Sequence, residues 1–121
     1  MSSRQQIWET YVSSWRTTST DEKQALFEKS LSPDCLYTDP FTRARGWNEL
    51  TATMMEFHQR FPGLHFVTIE FLSHHDRSIA KWEMRNSNDE TLDGGVSHGQ
   101  YDEHGKLVDM AVFFETSDPG R

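Results

Sequence analysis

The stretch "HQRFPGLHFVTIEF", residues 58–71, changes its period partway along. Up to Phe61 the apolar residues recur every three or four positions, as on one face of a helix. Pro62 and Gly63 cannot continue that helix. From Leu64 onward β-branched and aromatic residues crowd together, as in a strand. Working backwards, "GWNELTATMMEFHQRFPG" reads as one helix with Trp47, Leu50, Met54, Phe57, His58 and Phe61 on a broad face. Working forwards, "IAKWEMR" (79–85) alternates, with Ala80, Trp82 and Met84 on one side and Lys81, Glu83 and Arg85 on the other. "DRS" reads as the turn between these two strands, and "NSNDETLDG" as a polar hairpin loop. "GVSHGQY", a "DEHGK" turn suited to positive φ at Gly105, and "LVDMAVFFE" complete a meander of four strands.

Two more helices precede the long one. Ser3 to Gln6 reads as a capping box for the first, which carries Ile7, Trp8, Tyr11, Val12 and Trp15 at helical spacing. "STDE" (Ser19 to Glu22) opens the second, with Ala25, Leu26 and Leu31 on one side and Pro33 as the stop. "DCLYTD" (34–39) is a short strand. The order is helix, helix, strand, helix and then four antiparallel strands. Helices grouped before a meander predict an α+β fold with the helices on one sheet face.

A chain of 121 residues suits one domain, taken as 1–121. The net charge of −7 lacks the basic stripe that phosphate binding needs, which argues against a nucleic-acid partner. No apolar run approaches the ~20 residues of a membrane span, and "MSSRQQIWETYV" lacks the apolar segment of a signal peptide. The single Cys35 excludes an internal disulfide and fits a reducing compartment, so a cytoplasmic location is expected. Four Trp, eight Phe, three Tyr and five Met can fill a core or line a cavity.

The order of elements, with "YTDP" after the second helix, "RGW" opening the third, "FHQRFPGLHF" closing it and "DEHGK…FF" near the end, resembles the SnoaL-like proteins. These belong to the nuclear transport factor 2-like superfamily, together with polyketide cyclases and ketosteroid isomerases. The resemblance implies a cone-shaped roll. Three N-terminal helices would pack on the concave face of a strongly bent, mostly antiparallel sheet, around an apolar pocket. Carried over by position, Asp39 in "TDP" matches the general-base aspartate of the ketosteroid isomerases. Tyr11 matches their oxyanion-donating tyrosine. Their second donor, a protonated aspartate, falls on Ser97, which is not an acid.

A carboxylate at Asp39 facing an apolar wall is destabilised when charged, which suits proton exchange. The alternative is that Asp39 caps the loop before Pro40. Tyr11 shares a face with Ile7 and Trp15 and is expected in the pocket wall. His58, one turn past Met54, is a candidate acid-base partner or else a partly buried histidine. Trp15, Tyr37, Met54, Phe61, Trp82, Met84, Met110 and Phe114 are expected to line the pocket. Ser97 and Gly99 share the inward face with Tyr101, and their small size leaves space for a ligand or for large core neighbours. "SHHD" (73–76) puts adjacent histidines on opposite faces, so no metal site is expected. The last strand is apolar on both faces, with Met110, Val112 and Phe114 on one and Ala111 and Phe113 on the other. The uncovered face predicts a homodimer.

The expectation is a cofactor-independent pocket protein for an apolar, oxygen-bearing small molecule, either an acid-base isomerase, cyclase or dehydratase, or a non-catalytic binding module. Arg43 and Arg45 follow Asp39 closely, and either could pair with it.

Overall fold

The computed structural model describes residues 3–116. Helices α1 (Ser3–Ser13) and α2 (Thr20–Ser30) lead into strand β1 (Leu31–Thr38). A three-residue strand β2 (Arg43–Arg45) precedes α3 (Gly46–Arg60), and β3 (His65–His74), β4 (Arg77–Arg85), β5 (Thr91–Tyr101) and β6 (Leu107–Phe113) follow. The six strands form one sheet in the order β2-β1-β6-β5-β4-β3. Every pairing is antiparallel except β1 with β6, which is parallel. The fold is α+β, with three helices on the concave face of a bent sheet. Register shifts interrupt the ladders at Thr68/Glu70, Met84/Arg85 and Gln100/Tyr101. Each bulge adds twist and bends the strand that carries it.

Several local features follow from the residues. The Ser19 side chain accepts the Glu22 N–H at 3.2 Å, which starts α2. Glu49 accepts the Arg45 N–H at 2.8 Å, at the start of α3. Gly105 turns the last hairpin at φ +81°. The turn between β3 and β4 lies at His75–Asp76, and β5 begins at Thr91, so the hairpin loop is shorter than its polar composition suggested. Pro33 does not end α2 directly. It sits inside β1, where the ladder to β6 shifts between Leu31 and Leu36 and the missing N–H is tolerated. β2 went unread because three residues carry too little period.

The buried face of α2 also differs from its apolar pattern. It presents Lys23, Phe27 and Ser30 inward, while Ala25 is exposed. Lys23 is completely buried. Its ammonium donates to the carbonyls of Ser14 and Thr17, both at 2.6 Å, and lies 2.9 Å from His58 Nε2. Three donors thus meet three acceptors. One side chain of α2 ties the segment after α1 to α3. Burial pulls Lys23 down to about 8. Burial first, and then the Lys23 charge, pull His58 below the ordinary imidazole value, so its Nε2 lone pair is kept for the lysine.

The opposite, outer face of the sheet carries Leu72, Ile79, Val96 and Phe113, all exposed. Register puts Leu72 beside Ile79, and Val96 beside Phe113, on that face. No helix among the described residues is long and apolar enough to cross a membrane.

Lys23→Met should lower the free energy of chemical denaturation by about 2 kcal/mol or more, since two carbonyls at ~1–3 kcal/mol each lose their donor. His58 has a lowered folded value, so the unfolded chain takes up its proton first. Its contribution is present above the ordinary ~6.5 and is lost as pH falls below it. Thermal melts from pH 7.5 to 5 should therefore show a smaller loss of Tm in His58→Gln than in the wild type. An equal loss in both would exclude the lysine–imidazole contact as the cause.

Candidate functional site

A cavity of about 370 Å³ lies between α1, the end of α3 and the inner face of the sheet. Its wall is a succession of aromatic rings in edge-on or tilted contact. Trp15 meets Tyr37, Phe57 and Phe66 at centroid distances of 5.5, 5.6 and 5.8 Å. Phe66 meets Trp82 at 5.3 Å, Trp82 meets Phe114 at 6.3 Å, and Phe114 meets Phe41 at 5.8 Å. Rings that rest on one another in this way resist collapse into the space they surround. Phe41 and Phe61, 72% and 48% exposed, mark the mouth. Glu56 and Arg60, paired at 3.2 Å, stand beside them.

Asp39 lines this cavity and also closes a turn. Its Oδ1 accepts the Phe41 N–H at 2.8 Å, and its Oδ2 accepts the Tyr37 hydroxyl at 2.5 Å. Its own backbone exchanges hydrogen bonds with Thr42, at 2.9 and 3.3 Å. The carboxylate therefore lines the cavity and caps the loop at once. Tyr37 and Asp39 are two residues apart around the end of β1, a spacing that puts both side chains on one face. Arg45 reaches the Asp34 carbonyl at 3.1 Å instead.

The remaining polar groups have a definite direction. Trp15 Nε1 donates to the Tyr11 hydroxyl at 2.9 Å. Trp82 Nε1 donates to Ser97 Oγ at 3.0 Å. Tyr11 and Ser97 are both buried and both line the cavity. Burial holds the Tyr11 phenol far above its ordinary range. Tyr37 is raised too, by burial first and then by its neighbours Tyr11 and Asp39. At neutral pH both phenols keep their protons. Burial likewise pushes the Cys35 thiol up to about 11, so it is an inert core group.

Of the residues anticipated from sequence, Tyr11, Trp15, Tyr37, Asp39, Phe61, Trp82, Met84, Ser97 and Phe114 meet around the cavity. Met54 and Met110 lie instead in the closed core, with no exposure. A Cβ at Gly99 would stand 2.9 Å from Leu107 and 3.3 Å from Trp8, so that space is taken by core side chains. Tyr101 turns its hydroxyl to Ser78 at 2.8 Å. His58 is held against Lys23 and is not part of the lining. Sequence reasoning did not assign Trp8, Val12, Phe41, Phe57, Phe66, Thr68 or Val112 to the lining. Phe66 and Thr68 alternate along β3, a signal that was readable; the position of Phe41 depends on the turn that Asp39 closes. Among the described residues, no group of three or more His, Cys, Asp or Glu side chains could hold a metal ion.

No functionally curated protein matches the sequence. Solved structures do share its fold. A candidate isomerase of the SnoaL-like family from Agrobacterium tumefaciens is 20% identical, with a TM-score of 0.87 over 96% of this chain and 100% of that one. TerC, co-crystallised with polyporic acid, is 14% identical, with a TM-score of 0.76 over 94% of this chain and 92% of that one. A candidate polyketide cyclase from Sinorhizobium meliloti is 11% identical, with a TM-score of 0.71 over 93% of this chain and 99% of that one. The model of the SnoaL-like domain matches residues 9–121, nearly the whole sequence, and the chain belongs to that family.

Proposed function

We propose that the cavity binds a mostly apolar, oxygen-bearing small molecule and that Asp39 exchanges a proton with it, as in isomerisation, cyclisation or dehydration. One observation carries this reading: a carboxylate fixed by two donors stands in the wall of an otherwise largely aromatic cavity. A base held in one place can meet a ligand C–H or O–H without reorganising. Tyr11, protonated and with its lone pair engaged by Trp15, is the donor for a ligand oxygen. His58 has no part, because its Nε2 is committed to Lys23. Such chemistry calls for no cofactor. The described isomerase and cyclase assignments of similar folds agree with the class of reaction. The second reading is a binding module without turnover, and it draws on the same cavity.

The uncovered outer face of the sheet, with Leu72, Ile79, Val96 and Phe113, is proposed to hold a second copy of the chain in a twofold dimer. A cytoplasmic setting suits the lone buried Cys35.

Proton exchange can be tested before the substrate is known. Hydrogen–deuterium exchange at the α-carbon of 1-indanone in D₂O, followed by ¹H NMR, should be faster with the protein than in buffer. Asp39→Asn should lower that acceleration by roughly 10²–10⁴-fold. Binding of indanone with no acceleration selects the non-catalytic module.

Light scattering should report a dimer, and Phe113→Glu should give a monomer, because the dimer would bury an unpaired charge. A wild-type monomer at high micromolar concentration excludes this interface.

A further inference from the structure

We infer that Trp8 donates its indole N–H to a second oxygen on the bound molecule, a hydroxyl whose own hydrogen goes to Thr68. The cavity then takes an apolar molecule oxygenated at two separate places. This inference rests on the pocket reading above and assigns a group beyond the one that exchanges a proton with Asp39.

The chain has four tryptophans. Three spend their N–H inside the protein. Trp15 donates to the Tyr11 hydroxyl at 2.9 Å, Trp47 to the Ser32 carbonyl at 3.0 Å and Trp82 to Ser97 Oγ at 3.0 Å. The fourth, Trp8, is 2% exposed, and its Nε1 has no partner among the described residues. An indole nitrogen can only donate, so no rotation or change of tautomer relieves it. A buried donor without an acceptor is costly, and such atoms are rare in folded proteins. Trp8 lines the cavity. Its Cζ3 packs toward β5, where a Cβ at Gly99 would stand 3.3 Å away. The nitrogen is on the other side of the indole from that contact. The Tyr11 ring, edge-on at 5.2 Å, steadies the indole.

Thr68 Oγ1 is the other buried atom of this wall without a partner among the described residues. A threonine hydroxyl both gives and takes. Thr68 stands on β3, which packs against α1, the helix that carries Trp8. The ladder to β4 shifts between Thr68 and Glu70, and a bulge of that kind re-aims side chains. A wall that offers one obligate donor and one hydroxyl is matched by a ligand hydroxyl, which accepts from Trp8 and gives to Thr68. Glu9 Oε1, a further buried oxygen without a partner, belongs to a polar cavity that Thr68 also borders.

The probes are 1-indanone and its 4-, 5- and 6-hydroxy derivatives. Isothermal titration should show that the wild type binds at least one hydroxy derivative roughly 2- to 10-fold more tightly than 1-indanone. In a ¹H–¹⁵N spectrum the Trp8 indole proton, assigned through its own ring correlations, should move further downfield with that derivative than with 1-indanone. Loss of packing alone would not produce that shift. Thr68→Val, which keeps the shape and removes the hydroxyl, should reduce the preference, and so should Trp8→Phe. If Trp8→Phe does not fold, the wild-type spectrum and Thr68→Val still decide. No preferred derivative, a Trp8 proton that responds alike to both probes, or an undiminished preference in either folded variant would overturn the inference and leave the pocket reading standing. If neither 1-indanone nor any derivative binds, the pocket reading falls, and this inference with it.

Discussion

An indole N–H can be given but not returned, and the polarity of the cavity depends on that asymmetry. Two tryptophans, Trp15 and Trp82, each spend their one hydrogen on a buried hydroxyl. The hydroxyls of Tyr11 and Ser97 must send their own hydrogens away from those indoles. The third hydroxyl, on Tyr37, is directed the opposite way, because its partner is a carboxylate that can only accept. Of these hydroxyls, those of Tyr11 and Ser97 turn their hydrogens away from the indoles and that of Tyr37 fixes Asp39. The cavity thus combines a largely aromatic wall, these oriented hydroxyls, the unpartnered N–H of Trp8 and a carboxylate held at Asp39, the setting for the ligand proposed above.

The fold supplies the means of holding these groups still. Gly95 gives up a side chain so that Trp82 can lie flat on β5. The bulges in β3, β5 and β6 bend the sheet around the rings. Lys23 fastens α2 to the end of α1 and to α3 through backbone carbonyls and His58. The helices that carry Tyr11 and Phe57, and the turn that carries Trp15, are fixed relative to one another before any ligand arrives. A site held in this way loses little entropy on binding.

The architecture was legible in the sequence wherever period was strong. The switch after Gly63, the alternation in "IAKWEMR" and the hairpin at Gly105 each specified an element. β2 was too short to show a period, and Pro33 was tolerated in a strand because a register shift absorbs it. On α2 the buried position is a lysine, which no hydrophobic pattern would select, since its burial depends on carbonyls supplied by other segments. The site was legible as a set of faces but not as contacts. Alternation put Trp82 and Ser97 inward, yet the hydrogen bond between them depends on the absence of a side chain at Gly95. Met54, Met110, Gly99 and Tyr101 also face inward, and whether an inward residue meets cavity or core depends on depth, which period does not encode.

Neutron diffraction from a deuterium-exchanged crystal tests the account most directly, because it locates the hydroxyl deuterons. The account requires those of Tyr11 and Ser97 to point into the cavity, away from the indoles, and that of Tyr37 to point at Asp39. A Ser97 deuteron turned to a backbone carbonyl, or a Tyr37 deuteron turned away from the carboxylate, would contradict it.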